Sequence, residues 1–226
     1  MPQQTIVFDL NETLLDLSAL DPLFADAFGD KGVRRSWFAQ TLQNTMAATI
    51  LGSYEDFTII AQAALEMTAR KRGVTLDDER MRRIMRGLAA LPAHGDVLAG
   101  LGKLRAGGFR CAVLTNSPLA LARPQLERAH IDEFFEAVLT VESVRCFKPA
   151  PQVYAMAAER LDTAPSDILF VSVHDWDLAG AARAGFDTAF LSRHGTSLNP
   201  LEKRPAIEAP DIVGIADAVA RRTTAA

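Results

Sequence analysis

A short β-prone run, Thr5-Ile6-Val7-Phe8, stops abruptly at Asp9, and the stretch that follows carries helical patterning instead of a second strand. From about Leu17 to Leu91, roughly 80 residues keep helical spacing with no strand signal, an interval whose ends are good to a few residues. From about Asp96 the pattern changes to alternating helix and strand. A chain like this folds as a parallel α/β sheet whose first strand is parted from the rest by a helical insertion. In open α/β sheets ligands bind beyond the carboxyl ends of the strands. Asp9 is delivered to that edge, either as a reactive carboxylate or as the ordinary cap of a turn. An insertion directly after it hangs over the same edge, where it can act as a lid.

Four helices are expected in the insertion. The first carries Leu20, Leu23, Phe24, Ala27 and Phe28 and stops at Gly29, and the second runs from Ser36 to Leu51 and ends at Gly52. The third carries Tyr54, Phe57, Ile60, Ala61 and Ala64 and closes in Arg70-Lys71-Arg72-Gly73. The fourth spans Asp77 to Leu91, with Pro92 as its stop. The α/β part then reads as helix 97–104, strand 110–114, helix 119–129, strand 137–140, helix 152–161, strand 168–171, helix 178–184 and strand 188–191. A last strand at Asp211-Ile212-Val213, a helix over 215–221 and a frayed Thr223–Ala226 complete the expectation. The expected division is a core of residues 1–15 and 93–226 and a helical domain of residues 16–92.

Composition narrows the partners. The 226 residues carry a net charge of −4 with no basic cluster, which argues against nucleic acid or an anionic membrane. No apolar run approaches a membrane span, and the strand begins too early to leave room for a leader peptide. Cys111 and Cys146 lack CxxC spacing and read as buried free thiols, pointing to a cytoplasmic protein.

Four strand ends bear polar residues that a core does not need. These are Asp9 with Thr13, then Thr115-Asn116-Ser117-Pro118, Lys148-Pro149, and Ser172-Val173-His174-Asp175-Trp176-Asp177. Ser117 can cap a helix beginning at Pro118, which would leave free N–H groups for an anion or be no more than a capped helix start. Lys148 alone reads equally as a solvated surface lysine.

Taken in order, these positions resemble the motifs of the haloacid dehalogenase superfamily: a strand-end Asp, a strand-end Ser/Thr, a Lys and an acidic strand end. Within it the resemblance is to the type II 2-haloacid dehalogenases, through Lys148-Pro149 with Tyr154 and through Ser172 with Trp176-Asp177. Trp37 and Tyr54-Glu55-Asp56-Phe57 match the inserted helices. The resemblance implies a Rossmann-like core with a helical cap and a homodimer. It also implies a metal-independent hydrolase that displaces halide from a small 2-haloacid through an ester on Asp9.

The residues themselves bear on that implication. The family's phosphatases use an acid two residues after the nucleophile, and here Asn11 cannot serve as one. The first of their metal-binding carboxylates at the fourth strand end falls on Val173, leaving a thin ligand set for Mg²⁺. Halide leaves without protonation, so one attacking carboxylate suffices. By resemblance Asp9 is the nucleophile, with Lys148 as the local positive charge. Thr13 and Ser172 orient carboxylates, and Asp177 positions Lys148 or the hydrolytic water. Thr115 and Asn116 hold the substrate carboxylate. Tyr154 fixes Lys148 or the pocket wall, or is a structural tyrosine.

Three residues depart from the dehalogenase pattern. Phe38 stands where an Arg receives the halide. Arg34, one turn earlier, can substitute for it or be solvated. His174 stands where Asn is usual and can bind the leaving group, activate water or hydrogen-bond in the core. Glu12 replaces a Gly. No cofactor is expected, Mg²⁺ entering only if the chain is a small-molecule phosphatase, and a third possibility is a binding protein without turnover.

Overall fold

The computed structural model describes residues 5–193 and 196–225. β1 (Thr5–Phe8) is wholly buried, as an uninterrupted apolar strand of a doubly covered parallel sheet must be. The chain then leaves the sheet for four helices, α1 (Asp21–Phe28), α2 (Val33–Leu51), α3 (Phe57–Lys71) and α4 (Asp78–Leu88). Their ends follow local chemistry. Asp56 accepts the Thr58 N–H at 2.7 Å and Asp77 that of Arg80 at 2.8 Å. Gly29 and Gly52 close α1 and α2 at φ 72° and 65°, a conformation that costs glycine little. Trp37 is fully buried, and its indole N–H donates to the Ala61 carbonyl at 2.8 Å, pinning α2 to α3.

The chain returns through α5 (Val97–Ala106) and alternates β2 (Arg110–Thr115), α6 (Leu119–Arg128), β3 (Ala137–Thr140), α7 (Pro151–Arg160), β4 (Ile168–Ser172), α8 (Asp175–Arg183) and β5 (Asp187–Leu191). β6 (Ile207–Ala209) and α9 (Ile212–Ala225) follow. All six strands are parallel, in the order β3-β2-β1-β4-β5-β6. This is the Rossmann-like order, and β1 sits at its centre beside the point where strand order reverses, where such folds bind ligands. Phe8 lies in register with Val113 of β2 and Val171 of β4, so the residues after all three strands meet at one edge.

Four sequence expectations change. The last strand is Ile207–Ala209 rather than Asp211–Val213, and Asp211 instead accepts the Gly214 N–H at 2.6 Å at the start of α9. That helix runs over Ile212–Ala225, taking in most of the segment expected to fray, and Ala226 lies outside the described residues. α4 stops at Leu88, because the carbonyls of Leu88 and Ala89 are taken by Gln125 and Arg128 of α6. Cys111 is buried as expected, which together with Glu136 pushes its thiol up to about 12, whereas Cys146 is only half-buried; both are free.

The two connections to the helical segment are tied together. Asp16 N–H donates to the Pro92 carbonyl and His94 N–H to that of Leu14, at 2.8 and 3.0 Å. Arg193 then grips Asp96 with two bonds of 2.7 Å and donates to the Thr13 carbonyl at 3.2 Å. A bidentate, largely buried pair of this kind fixes geometry as well as charge.

α5 and α9 touch closely at Gly100, where a Cβ would stand 2.7 Å from the backbone carbon of Ile212. Gly100→Val therefore destabilises the protein by about 1–3 kcal/mol through overpacking, seen as a lowered denaturant midpoint.

Candidate active site

β1 ends by pointing the Asp9 carboxylate into the sheet edge. Oδ2 accepts the Thr13 hydroxyl at 2.7 Å, and Oδ1 accepts the Lys148 ammonium at 2.7 Å. Thr13 in turn accepts the Val173 N–H at 3.2 Å, so the turn after β1 is fastened to the end of β4. Lys148 is 1% exposed and fully occupied, its other donors going to Asp177 Oδ2 at 2.6 Å and the Leu114 carbonyl at 3.0 Å. The solvated reading of Lys148 is thereby overturned.

Asp177 is 0% exposed. Its Oδ2 also lies 3.5 Å from the Ser172 hydroxyl, and its Oδ1 accepts the Tyr154 hydroxyl at 2.6 Å. Tyr154 thus fixes the carboxylate behind Lys148, not Lys148 itself or the pocket wall, which corrects its placement as a substrate contact. Burial raises the Asp9 carboxyl, but Lys148, then His174 and the hydrogen bonds outweigh it and hold Asp9 below the usual carboxylate range. Burial and the neighbouring Asp9 charge push Asp177 up. For Lys148 burial opposes the charge, but the two carboxylates raise the ammonium above the ordinary lysine range.

Asp9 borders a small cavity of about 10 Å³ with Asn11, Phe38, Leu42, Phe57, Thr115, Asn116, His174 and Trp176. A cavity of about 410 Å³ adjoins it, sharing Phe38, Leu42 and His174 and bounded further by Glu12, Asp21, Arg34, His94 and Arg193. The His174 ring stacks on Trp176 at 5.1 Å and lies 6.2 Å from Phe38. Its Nε2 is 3.8 Å from both Asp9 Oδ2 and Glu12 Oε2. Arg34 is 5% exposed and bonds Asp21 Oδ1 at 2.5 Å, with Nη1 3.5 Å from Glu12 Oε1. It is neither solvated nor in contact with the small cavity.

The anion side differs from expectation. Pro118 caps α6, which starts at Leu119, and Ser117 serves elsewhere by accepting the Asn11 amide at 3.1 Å. The Leu119 N–H is taken by Glu142 at 2.7 Å, so this helix end offers an anion less than expected. Asn116 Oδ1 accepts the Lys148 N–H at 3.0 Å, and Thr115 Oγ1 the Ser117 N–H at 3.1 Å. Among the described residues Asn11 Oδ1 is buried without a partner. Turning the amide would let Ser117 donate to that oxygen and present the NH₂ to the cavity, an assignment that hydrogen-bond logic permits.

A divalent cation does not fit these groups. The Lys148 ammonium already occupies the space between the two carboxylates, at 2.7 and 2.6 Å, and apolar Val173 follows Ser172. Among the described residues no cluster of three His, Cys, Asp or Glu side chains has metal-binding geometry.

The sequence profile of the haloacid dehalogenase-like hydrolases matches residues 3–185. The chain belongs to this family. An (S)-2-haloacid dehalogenase of Pseudomonas sp. strain CBS-3 is 31% identical over 85% of the chain and 86% of its own length. A solved L-2-haloacid dehalogenase superposes with a TM-score of 0.93 at 27% identity, covering 97% of the chain and 99% of the other. The L-2-haloacid dehalogenase of Xanthobacter autotrophicus shares the fold, with a TM-score of 0.90 at 22% identity over 96% and 98%.

Within this haloacid dehalogenase-like hydrolase, sequence reasoning missed the pairing of Glu12 with His174. The signal in the sequence was Glu12 in place of a Gly, and in the structure it occupies φ 64°, a conformation that normally selects glycine and costs another residue about 1 kcal/mol. It missed Ser117 as the partner of Asn11 because a Ser before Pro also reads as a helix cap.

Replacing Lys148 with Met leaves two buried carboxylates facing one another, so Lys148→Met lowers unfolding free energy by about 3–5 kcal/mol at neutral pH. One of those carboxylates then titrates above its unfolded value. Its folded-state penalty diminishes as pH falls, and the deficit measured by urea unfolding shrinks between pH 7 and 5.

Proposed function

We propose that this hydrolase displaces halide from small 2-haloacids by attack of Asp9 on the halogen-bearing carbon, without a metal. The observation that carries this reading is the Asp9–Lys148 pair, 2.7 Å apart with Asp9 on the cavity wall, in a site where Asn11 supplies no acid and Val173 no metal ligand. Carboxylate attack forms a C–O bond as the C–halogen bond breaks, and halide departs as the anion with no proton required. Lys148 keeps the nucleophile ionised and Thr13 fixes its second oxygen. Asp177, held by Tyr154 and Ser172, serves to place Lys148.

The substrate carboxylate is taken by the Thr115–Asn116 loop and the Asn11 amide. The halide leaves toward the wall formed by Phe38, His174 and Trp176, where aromatic edges carry partial positive charge. Residues 16–92 act as the cap that excludes water from the small cavity, and residues 1–15 and 93–226 as the core. A cytoplasmic homodimer is part of this reading; a small anionic organic acid as substrate is supported by the (S)-2-haloacid dehalogenase relative, and the net charge of −4 speaks against a nucleic-acid or membrane partner. Among the described residues no helix is long and apolar enough to cross a membrane.

The wild type is expected to release chloride from L-2-chloropropionate in EDTA, whereas Asp9→Asn releases none. Chloride release by the variant removes Asp9 from its role. EDTA-sensitive phosphate release from a monoester would make the chain a phosphatase, and tight binding without turnover would make it a binding protein.

Because Lys148 lowers the Asp9 pKa, the nucleophile stays charged as pH falls through the ordinary carboxylate range near 4. Alkylation of Asp9, followed by intact mass in single-turnover quench experiments, keeps its rate from pH 7 to about 4.5 while the protein remains folded.

A further inference from the structure

The hydrolytic half of this reaction needs a base within reach of the ester, and the geometry restricts which group can serve. Asp177 is fully buried. Its Oδ1 is filled by Tyr154 at 2.6 Å and its Oδ2 by Lys148 at 2.6 Å, and it borders neither cavity. His174 borders both cavities. Its ring is held between Trp176 and Phe38, and its backbone N–H is anchored on Ser172 Oγ at 3.0 Å.

The 3.8 Å from Nε2 to Asp9 Oδ2 is beyond a direct hydrogen bond, and a distance at which a bridging water is the natural link. The same nitrogen is 3.8 Å from Glu12 Oε2, while Glu12 Oε1 faces Arg34 Nη1 at 3.5 Å. Arg34 is itself held by Asp21. A chain of charges running Asp21, Arg34, Glu12 therefore ends on the imidazole.

We propose that His174, whose charged form is stabilised by Glu12, is the base that activates water against the Asp9 ester, a role that rests on the ester reading above. With its hydrogen on Nδ1, the neutral ring takes a proton from water at Nε2 as the water oxygen bonds to the Asp9 carboxyl carbon. The imidazolium is stabilised by the Glu12 carboxylate. The tetrahedral species then collapses with cleavage of the acyl C–O bond, and the departing 2-hydroxy acid oxygen takes the proton from Nε2. The remaining water hydrogen, left on the Asp9 carboxyl, passes to solvent through the same imidazole, restoring the Asp9 carboxylate.

The test is a rapid-mixing measurement of chloride from excess L-2-chloropropionate, paired with intact-mass detection of the ester. Wild type turns over continuously. His174→Gln is expected to release one equivalent of chloride per chain, accumulate the ester on Asp9, and fall in steady-state rate by about 10²–10⁴-fold, the usual range for general-base loss. Glu12→Gln is expected to keep the burst and to slow only the second phase, a split that a merely structural loss would not produce. It decides the matter if His174→Gln does not fold.

The proposal is overturned if either variant loses the burst together with turnover, or if the steady rate is unchanged. It also falls if Asp177→Asn accumulates ester and His174→Gln does not. A wild type that forms no ester at all removes the underlying reading, and the role of His174 with it.

Discussion

One buried ammonium holds the functional edge of this protein together. Lys148 lies between two carboxylates, 2.7 Å from Asp9 and 2.6 Å from Asp177, and no water is needed to satisfy it because the Leu114 carbonyl takes its third proton. Two negative charges about one positive charge would be unstable at this depth without further donors. Thr13 supplies one to Asp9, and Tyr154 and Ser172 supply theirs to Asp177. The arrangement binds β1, β2, β4 and α8 into one unit and keeps Asp9 charged. It also removes the opening that a divalent cation would require.

The same constraint distributes labour among the polar residues. Asp177 is spent on Lys148 and has no lone pair directed at a cavity, so its charge acts only through the lysine. The three residues that set this chain apart from the dehalogenase pattern, Glu12, Phe38 and His174, all face open volume. Phe38 contributes wall instead of charge, and Arg34, one turn earlier on α2, faces the larger cavity where it steadies Glu12. The substitutions are thus coupled. Glu12, in the turn after Asp9, lies against both Arg34 and the His174 imidazole, and that ring contacts Trp176 and Phe38.

The helical segment belongs to the site as much as to the fold. Phe38 and Leu42 of α2 and Phe57 of α3 close the small cavity over Asp9. Both connections that carry them are laced to each other and to Arg193, so the aromatic wall is held over the sheet edge by a buried ion pair. Burial raises the Asp96 carboxyl, but Arg193 and the Ile212 N–H more than offset it and keep Asp96 charged below the ordinary range.

The sequence alone determined the parallel sheet, the helical insertion after its first strand and the four polar strand ends. All of these follow from apolar periodicity and from the local chemistry of Asp, Gly and Pro, which act within a few residues. It could not decide what the polar groups do, because a carboxylate, a lysine or a tyrosine takes its role from partners distant in the chain. Tyr154 reached Asp177 rather than the pocket, Ser117 reached Asn11 rather than the helix, and Glu142 closed the helix end that an anion was expected to use. The short edge strand Ile207–Ala209 was hidden for a related reason: three residues carry too little alternation, and only pairing with β5 defines it. Tertiary structure settled these points because burial leaves every polar atom in need of a partner, and packing decides which one is near.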